Sequence, residues 1–357
     1  MTTSRIALAA GGTAGHVFPA LALYQRLRAD GAAVTLITDD RGLRYADGFD
    51  RSDVTVLPSG GVVTGSPVKR LGNIVKLGRG LFKARSLLKR ERPDAVVGMG
   101  GYAAVGPLLS ARQLGIRTVL HEQNSVMGLA NKVSARTADF VALSFDPTEG
   151  ARGNCVVTGN PCRPQVVAVG GAPFPTPTAA GPIGVLVMGG SQGARSVSET
   201  VPAALGLLPA ELVARLQVIH QARAEDHPQV VAAYGAAGVT ATVESFVDVP
   251  EALSGSHLVI ARSGASTVCD VAVARRPAVY LPLLTHSDLQ QVKNAAAVAD
   301  RGGALIHRED EGTPEDLAAV VGRILADPMQ LTDMADAAHG WSRPDAVDAI
   351  IELINNP

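Results

Sequence analysis

Short apolar runs alternate with longer stretches rich in Ala, Leu and Arg along the whole chain. The first series of runs is Ile6–Ala10, Val34–Thr38, Val54–Leu57, Ala95–Gly98, Thr118–His121, Phe140–Leu143 and Val156–Thr158. A second series is Gly184–Met188, Leu216–His220, Thr240–Glu244, Leu258–Ala261 and Ala278–Leu281. Continuous apolar runs predict strands buried on both faces, and the helical stretches between them predict βαβ units in parallel sheets. Gly170–Pro182 holds four Pro and three Gly in thirteen residues and reads as a linker without helix or central strand. The expected organisation is an α/β domain over 1–163, a linker over 164–182 and a second α/β domain over 183–339. A helix is expected in 340–357, running from Trp341 to Ile354, with Ala346, Ile350, Ile351 and Ile354 on one face. The pattern leaves open whether it packs on its own domain or crosses back to the first.

A chain of 357 residues exceeds one comfortable core. Its 46% hydrophobic and 18% charged residues exclude a disordered chain, and 4% aromatics make the core aliphatic. No apolar run reaches the about 18–20 residues that span a bilayer. Ile6–Ala10 reads as a strand rather than the core of a signal peptide. Cys155, Cys162 and Cys269 form no C-x-x-C pair, so a reducing cytoplasm is expected.

The net charge of −1 conceals a polarised molecule. Residues 1–163 carry 21 Lys and Arg against 12 Asp and Glu, and residues 164–357 carry 11 against 21. The basic half is expected to face something anionic. Residues 69–92 account for the excess, with nine basic side chains and one acid, Glu91. Leu71, Ile74, Leu77, Leu81 and Phe82 interleave with Lys69, Arg70, Lys76, Arg79 and Lys83. A cationic amphipathic helix of this kind binds an anionic membrane surface, although Gly72, Gly78 and Gly80 weaken the helix. The apolar side also reads as an ordinary core face, and the basic side as a nucleic-acid surface. Few aromatics are available to stack bases, which disfavours nucleic acid.

Candidate chemistry sits at the carboxyl ends of the expected strands. Gly11–His16 and Gly189–Ala194 are glycine turns between a strand and a helix, one in each half. Such turns let backbone N–H groups approach an anion, and the helix behind adds a favourable dipole. Neither is a Walker motif or a dinucleotide fingerprint, which disfavours a dehydrogenase. Arg262–Thr267 is a third turn and a candidate diphosphate seat, or else a plain Ser/Thr cap. His121–Asn124 places four polar residues at a strand end, as ligand contacts or as a solvated loop. Arg163 offers a guanidinium after Gly159–Cys162, and Gln290 and Asn294 pair amides on one helix face. His16 is the candidate general base. The chain has no D-x-D pair, no H-E-x-x-H and no Cys/His cluster, so no metal-ligand set is visible.

GGTAGHVFPA (11–20), GMGGY (98–102), HEQN (121–124), GNPCR (159–163), GGSQGAR (189–195), ARSGAST (261–267) and Gln290, Gln291 and Asn294 occur in one order. In these motifs the chain resembles the MurG family of bacterial N-acetylglucosaminyltransferases over nearly its whole length. The resemblance implies an α/β fold of the GT-B kind, two Rossmann-like parallel-sheet domains facing across a cleft. It implies transfer from UDP-N-acetylglucosamine to undecaprenyl-pyrophosphoryl-MurNAc-pentapeptide at the cytoplasmic face of the membrane, without a cofactor. By the same resemblance the donor is held by Ser191, Val247, Ala265, Ser266, Thr267, Val268, Cys269, Asp270, Gln290 and Gln291. Thr13, Ala14, Gly15, Asn124 and Arg163 complete the site from the N-terminal side, and the basic stripe is the membrane patch. Ala14 stands where the family commonly has Gly. Asp270 stands where it has Glu, and the shorter acid would reach ribose through water. Rival readings are another UDP-sugar transferase acting on a membrane lipid such as diacylglycerol, and a non-catalytic nucleotide-sugar sensor.

Overall fold

The computed structural model describes residues 4–60, 67–190, 193–284 and 289–356, with side chains from residue 76 onward in the helix that starts at Pro67. Two compact units emerge: residues 1–163 with 344–357, and residues 164–343.

The first unit contains β1 (Arg5–Ala9), α1 (Ala14–Ala29), β2 (Ala33–Thr38), β3 (Val54–Val56), α2 (Pro67–Glu91), β4 (Ala95–Gly98) and α3 (Tyr102–Gln113). It continues with β5 (Arg117–Glu122), α4 (Leu129–Ser134), β6 (Phe140–Leu143) and β7 (Cys155–Val157). The strands form a parallel sheet ordered β3-β2-β1-β4-β5-β6-β7. The direction of winding reverses between β1 and β4, so their carboxyl-end turns flank the crevice where open α/β sheets bind ligands. Leu8, Val34, Val97 and Val119 pack one face of the sheet with Val17 and Leu23 of α1. Ala7, Val96 and Leu120 pack the other with Leu88 and Leu108.

The second unit contains α5 (Pro164–Gly170), β8 (Ile183–Met188), α6 (Arg195–Gly206), α7 (Ala210–Val213), β9 (Leu216–Gln221), α8 (His227–Ala236) and β10 (Thr240–Glu244). It continues with α9 (Val249–Ser254), β11 (Leu258–Ala261), α10 (Ala265–Val273), β12 (Ala278–Tyr280), α11 (Gln290–Ala299), β13 (Ala304–Ile306), α12 (Pro314–Ala326) and α13 (Pro328–Trp341). Its parallel sheet is ordered β10-β9-β8-β11-β12-β13, with the switch between β8 and β11. The core is aliphatic around Val185, Val187, Val218 and Ile260. His220 is buried in it and bonded to the Tyr234 hydroxyl at 2.9 Å, and burial pushes its pKa down to about 4.

Two expectations are corrected. The stretch expected as a linker belongs to the second unit. Residues 164–170 form α5, which packs on α9 and α10, and Phe174 enters the core. Arg215 clamps residues 178 and 181 through their carbonyls. Pro-rich backbone thus runs over the unit surface, held by side chains rather than by a ladder. The helix expected from Trp341 is also split, because Trp341 ends α13 and a helix cannot continue into Pro344. The final helix, α14 (Ala346–Asn355), packs Ile350, Leu353 and Ile354 into the first unit, with Asp348 paired to Arg26 at 2.5 Å. The strand β13 (Ala304–Ile306) was not among the expected strands.

The glycines of the basic stripe do not break its helix. Gly80 lies where a Cβ would strike the Pro58 carbonyl oxygen, so it permits close approach of the loop after β3. Leu77 and Leu81, expected to face a membrane, are half-buried and line a depression with Tyr102 and Pro107 of α3. Their spacing continues through buried Ala84 and Leu88, which makes this the core side. Lys76, Arg79 and Lys83 are exposed, and Phe82 is 76% exposed. The side chains of Lys69, Arg70 and Ile74 lie outside the described residues.

Candidate functional site

Each unit gathers uncapped helix starts at its switch point. In the first unit, α1 has Thr13 at its N-cap and α3 has Gly101, and neither side chain caps the helix. In the second, α6 follows Ala194 and α10 follows Gly264, again without a side-chain cap. None of the four carries an acid in its first turn. By contrast α12 is closed by a capping box from Thr313 and has Glu315 and Asp316 in its first turn, and Asp327 caps α13. Uncapped N–H groups and an unneutralised dipole make anion seats. The alternative of a Ser/Thr cap at the third turn therefore falls, since Gly264 occupies the cap position.

His16 lies in the first turn of α1. Its Nδ1 is 3.0 Å from the Gly11 carbonyl oxygen and 3.1 Å from Thr13 Oγ1. A carbonyl only accepts, so the neutral ring carries its proton on Nδ1 and its lone pair on Nε2. Burial lowers the pKa of the ring, with the Arg41 charge acting the same way and the Gly11 bond and Asp39 opposing. Gly100 has φ +89°, and a Cβ there would stand 2.9 Å from His16 Cδ2 and from Gln123 Oε1. The glycine therefore lets the β4–α3 turn close against the imidazole. Ala14 is buried, while Thr13 and Gly15 are accessible.

The HEQN run is neither a ligand cluster nor a solvated loop. His121, Glu122 and Gln123 are buried. His121 is bonded at Nε2 to the Gly159 carbonyl at 3.0 Å and at Nδ1 to Gln123 Nε2, which also donates to the Met99 carbonyl. Burial takes the pKa of His121 down to about 4, so the ring is neutral. Glu122 accepts the Asn124 and Gly128 backbone N–H groups at 3.0 Å and Asn131 Nδ2 at 2.8 Å. Burial nevertheless raises its pKa. These side chains tie the ends of β4, β5 and β7 together and present half-buried Asn124. Arg163 is half-buried, its guanidinium 5.8 Å from the centre of the Phe18 ring, a cation–π distance.

In the second unit Ser266, Thr267 and Asp270 are half-buried on α10, whereas Ala265, Val268 and Cys269 face the core. The last three can meet a ligand only through backbone, and Val247 is likewise buried. Asn294 is fully buried and donates to the Ser263 carbonyl at 3.2 Å, so it is a brace rather than a sugar contact. Gln291 uses Oε1 to accept the Leu283 N–H at 2.9 Å. Gln290 starts α11 half-buried. Ser191 lies outside the described residues.

Sequence reasoning placed Arg262 in the third turn but missed its role as a clamp. Its guanidinium is 8% exposed and donates to the Leu281 carbonyl at 2.7 Å, to Glu309 at 2.5 Å and to Ser196 Oγ at 2.5 Å. It fastens the turn after β11 to the starts of α6 and to the segments after β12 and β13. The signal was an Arg directly after an apolar strand. Among the described residues no group of three or more His, Cys, Asp or Glu is placed to hold a metal.

The two parallel-sheet domains, each with glycine turns at its switch point, define the GT-B class of fold. Residues 6–143 match the glycosyltransferase family 28 N-terminal domain, and residues 184–350 match the glycosyltransferase family 28 C-terminal domain. The chain belongs to glycosyltransferase family 28. It is 44% identical over 356 residues to the UDP-N-acetylglucosamine–N-acetylmuramyl-(pentapeptide) pyrophosphoryl-undecaprenol N-acetylglucosamine transferase of Methylobacterium nodulans, covering 98% of this chain and 95% of the relative. It is 42% identical to the protein of that name from Allorhizobium ampelinum, covering 99% and 95%. The crystal structure of Acinetobacter baumannii MurG superposes with a TM-score of 0.79 at 31% identity, covering 99% of this chain and all of that one. A UDP-GlcNAc 2-epimerase from Neisseria meningitidis, 12% identical at a TM-score of 0.68 over 99% of this chain and all of that one, shares the fold.

Replacing Arg262 by Met strands the half-buried Glu309 carboxylate and empties a buried guanidinium site, and is expected to destabilise the second unit by about 3 kcal/mol. Urea unfolding checks this, and an unchanged midpoint contradicts the clamp.

Proposed function

We propose that the chain is an inverting transferase that moves N-acetylglucosamine from UDP-N-acetylglucosamine to the 4-hydroxyl of the muramyl sugar of undecaprenyl-pyrophosphoryl-MurNAc-pentapeptide. The observation that carries this reading is 44% identity over 98% of the chain to a protein named for that transfer. The relatives reported above are named for that transfer, not for a diacylglycerol glycosyltransferase or a sensor.

The donor is assigned to the second unit. Its diphosphate sits against the N–H groups at the starts of α6 and α10, with Ser266, Thr267 and Gln290 beside it and Asp270 toward the ribose. The acceptor is assigned to the first unit. Its hydroxyl oxygen attacks the anomeric carbon from the face opposite UDP. The bond to the phosphate oxygen breaks, and UDP leaves with that electron pair. The hydroxyl proton passes to Nε2 of His16, whose Nδ1–H is held by Gly11. Backbone dipoles stabilise the departing charge without reorganising. Because burial keeps His16 neutral to lower pH than an exposed ring, the base stays competent below its ordinary value of about 6.5.

The exposed side of α2 makes the chain a peripheral protein of the cytoplasmic membrane face. Phe82 supplies an apolar contact, and Arg79 and Lys83 supply charge attraction. No described helix is long and apolar enough to cross a membrane.

Radiolabel is expected to pass from UDP-N-acetylglucosamine to the muramyl lipid with or without EDTA. His16→Ala should lower kcat about 10²–10⁴-fold with little change in donor KM, and the acid limb of wild-type kcat should fall below pH 6.5. Absence of transfer contradicts the function, and intact turnover in the variant contradicts the base. For the membrane assignment, Lys83→Gln should weaken partitioning onto anionic vesicles roughly fivefold and leave neutral vesicles unaffected. Equal binding to both vesicle types by the wild type contradicts it.

A further inference from the structure

Gln123 has one side-chain atom that its bracing bonds do not use. The residue is 2% exposed, and among the described residues its Oε1 has no hydrogen-bond partner. The amide cannot turn to satisfy that oxygen. The Gly159 carbonyl only accepts, so His121 carries its proton on Nε2, 3.0 Å from it, and presents a lone pair at Nδ1. Gln123 Nε2 donates one hydrogen to that lone pair at 2.9 Å and the other to the Met99 carbonyl at 2.7 Å. A flipped amide would set Oε1 against two acceptors, so its orientation is fixed from Gly159 inward.

The fixed oxygen lies on the side of the β4–α3 turn where His16 sits. A Cβ added to Gly100 would stand 2.9 Å from Oε1, 2.9 Å from His16 Cδ2 and 3.2 Å from His16 Nε2. Gly100, with φ +89°, adds no Cβ, so the two side chains border one gap. His16 keeps its Nδ1–H on the Gly11 carbonyl at 3.0 Å, which leaves the Cδ2–Nε2 edge toward Gln123. Beside a neutral ring Oε1 faces a lone pair. Beside a protonated ring the same oxygen faces a cation with an N–H to donate. An acceptor held in place favours the charged form, and it does so without reorganising as the charge develops. The charged and titratable groups within Coulombic range of the ring are Asp39 and Arg41, after β2, and His121 on β5, which burial keeps neutral.

We propose that Gln123 is a positioning residue for the transfer, its Oε1 steadying the His16 ring as Nε2 takes the proton of the acceptor hydroxyl. This rests on the function proposed above, in which His16 is the base. His121 acts one step further back, by holding the amide in the orientation that presents the oxygen.

The test follows the ring itself. The full chain is labelled with 15N-histidine, His16 is assigned by its loss in His16→Ala, and its titration is compared in wild type, Gln123→Leu and Gln123→Glu. Gln123→Leu should weaken proton binding to His16 about threefold, moving the acid limb of kcat to lower pH and lowering the plateau, with donor KM unchanged. Gln123→Glu keeps an acceptor oxygen toward the ring in either protonation state, so proton binding should be restored or strengthened. A purely structural role would shift both variants alike. An unchanged His16 titration in Gln123→Leu, or the same weakening in both variants, overturns the proposal. If Gln123→Leu does not fold, Gln123→Glu decides alone, since weaker proton binding than wild type overturns it. A shift of the expected sign together with intact turnover in His16→Ala overturns the base assignment beneath the proposal and leaves the contact standing.

Discussion

The structure depends on helix starts at the switch points whose cap residues give no side-chain cap. Parallel strands send every chain reversal to the same edge of the sheet, and each helix that follows begins there with donors to satisfy. At α1, α3, α6 and α10 the cap positions are Thr13, Gly101, Ala194 and Gly264, and none of them caps its helix through a side chain. At α12 and α13 the same requirement is met internally by Thr313 and Asp327. Side-chain caps close α9, α12 and α13, while α4, α8 and α14 begin without one, as the four switch-point helices do. On the function proposed above, the sugar diphosphate is assigned to these starts.

Open turns of this kind need support from below. Asp39 ties Gly12 to Gly42 and Ser59. Glu122 closes the loop through Gly128 and Asn131. Arg262 gathers Ser196, Leu281 and Glu309. Each charge is buried or nearly so, and each is matched by several hydrogen bonds, the condition under which a buried ion is tolerated. The polar residues of the site thus divide into accessible ones, such as Ser266, Thr267 and Thr13, and a set beneath that fixes the backbone.

That division explains what could be read from the chain. Buried parallel strands are continuous apolar runs, so the two sheets were legible nearly to the residue, as at Ala95–Gly98 and Leu258–Ala261. The turns were legible because glycine marks close backbone approach. Burial direction within a motif was not. Spacing could not tell that Asn294 and Gln291 turn inward to brace Ser263 and Leu283. Nor could it tell that Leu77 and Leu81 face α3 while Phe82 faces solvent. The stretch from 164 to 182 looked like a linker because its Pro and Gly content forbids a ladder, but side-chain clamps such as Arg215 need no ladder.

The central claim is that uncapped helix starts seat the sugar diphosphate. A crystal structure of the chain grown with UDP-N-acetylglucosamine tests it most directly. The account predicts diphosphate oxygens within hydrogen-bond distance of the backbone N–H groups of Ser266 or Thr267. A nucleotide lodged elsewhere, with those groups facing only solvent, would contradict it.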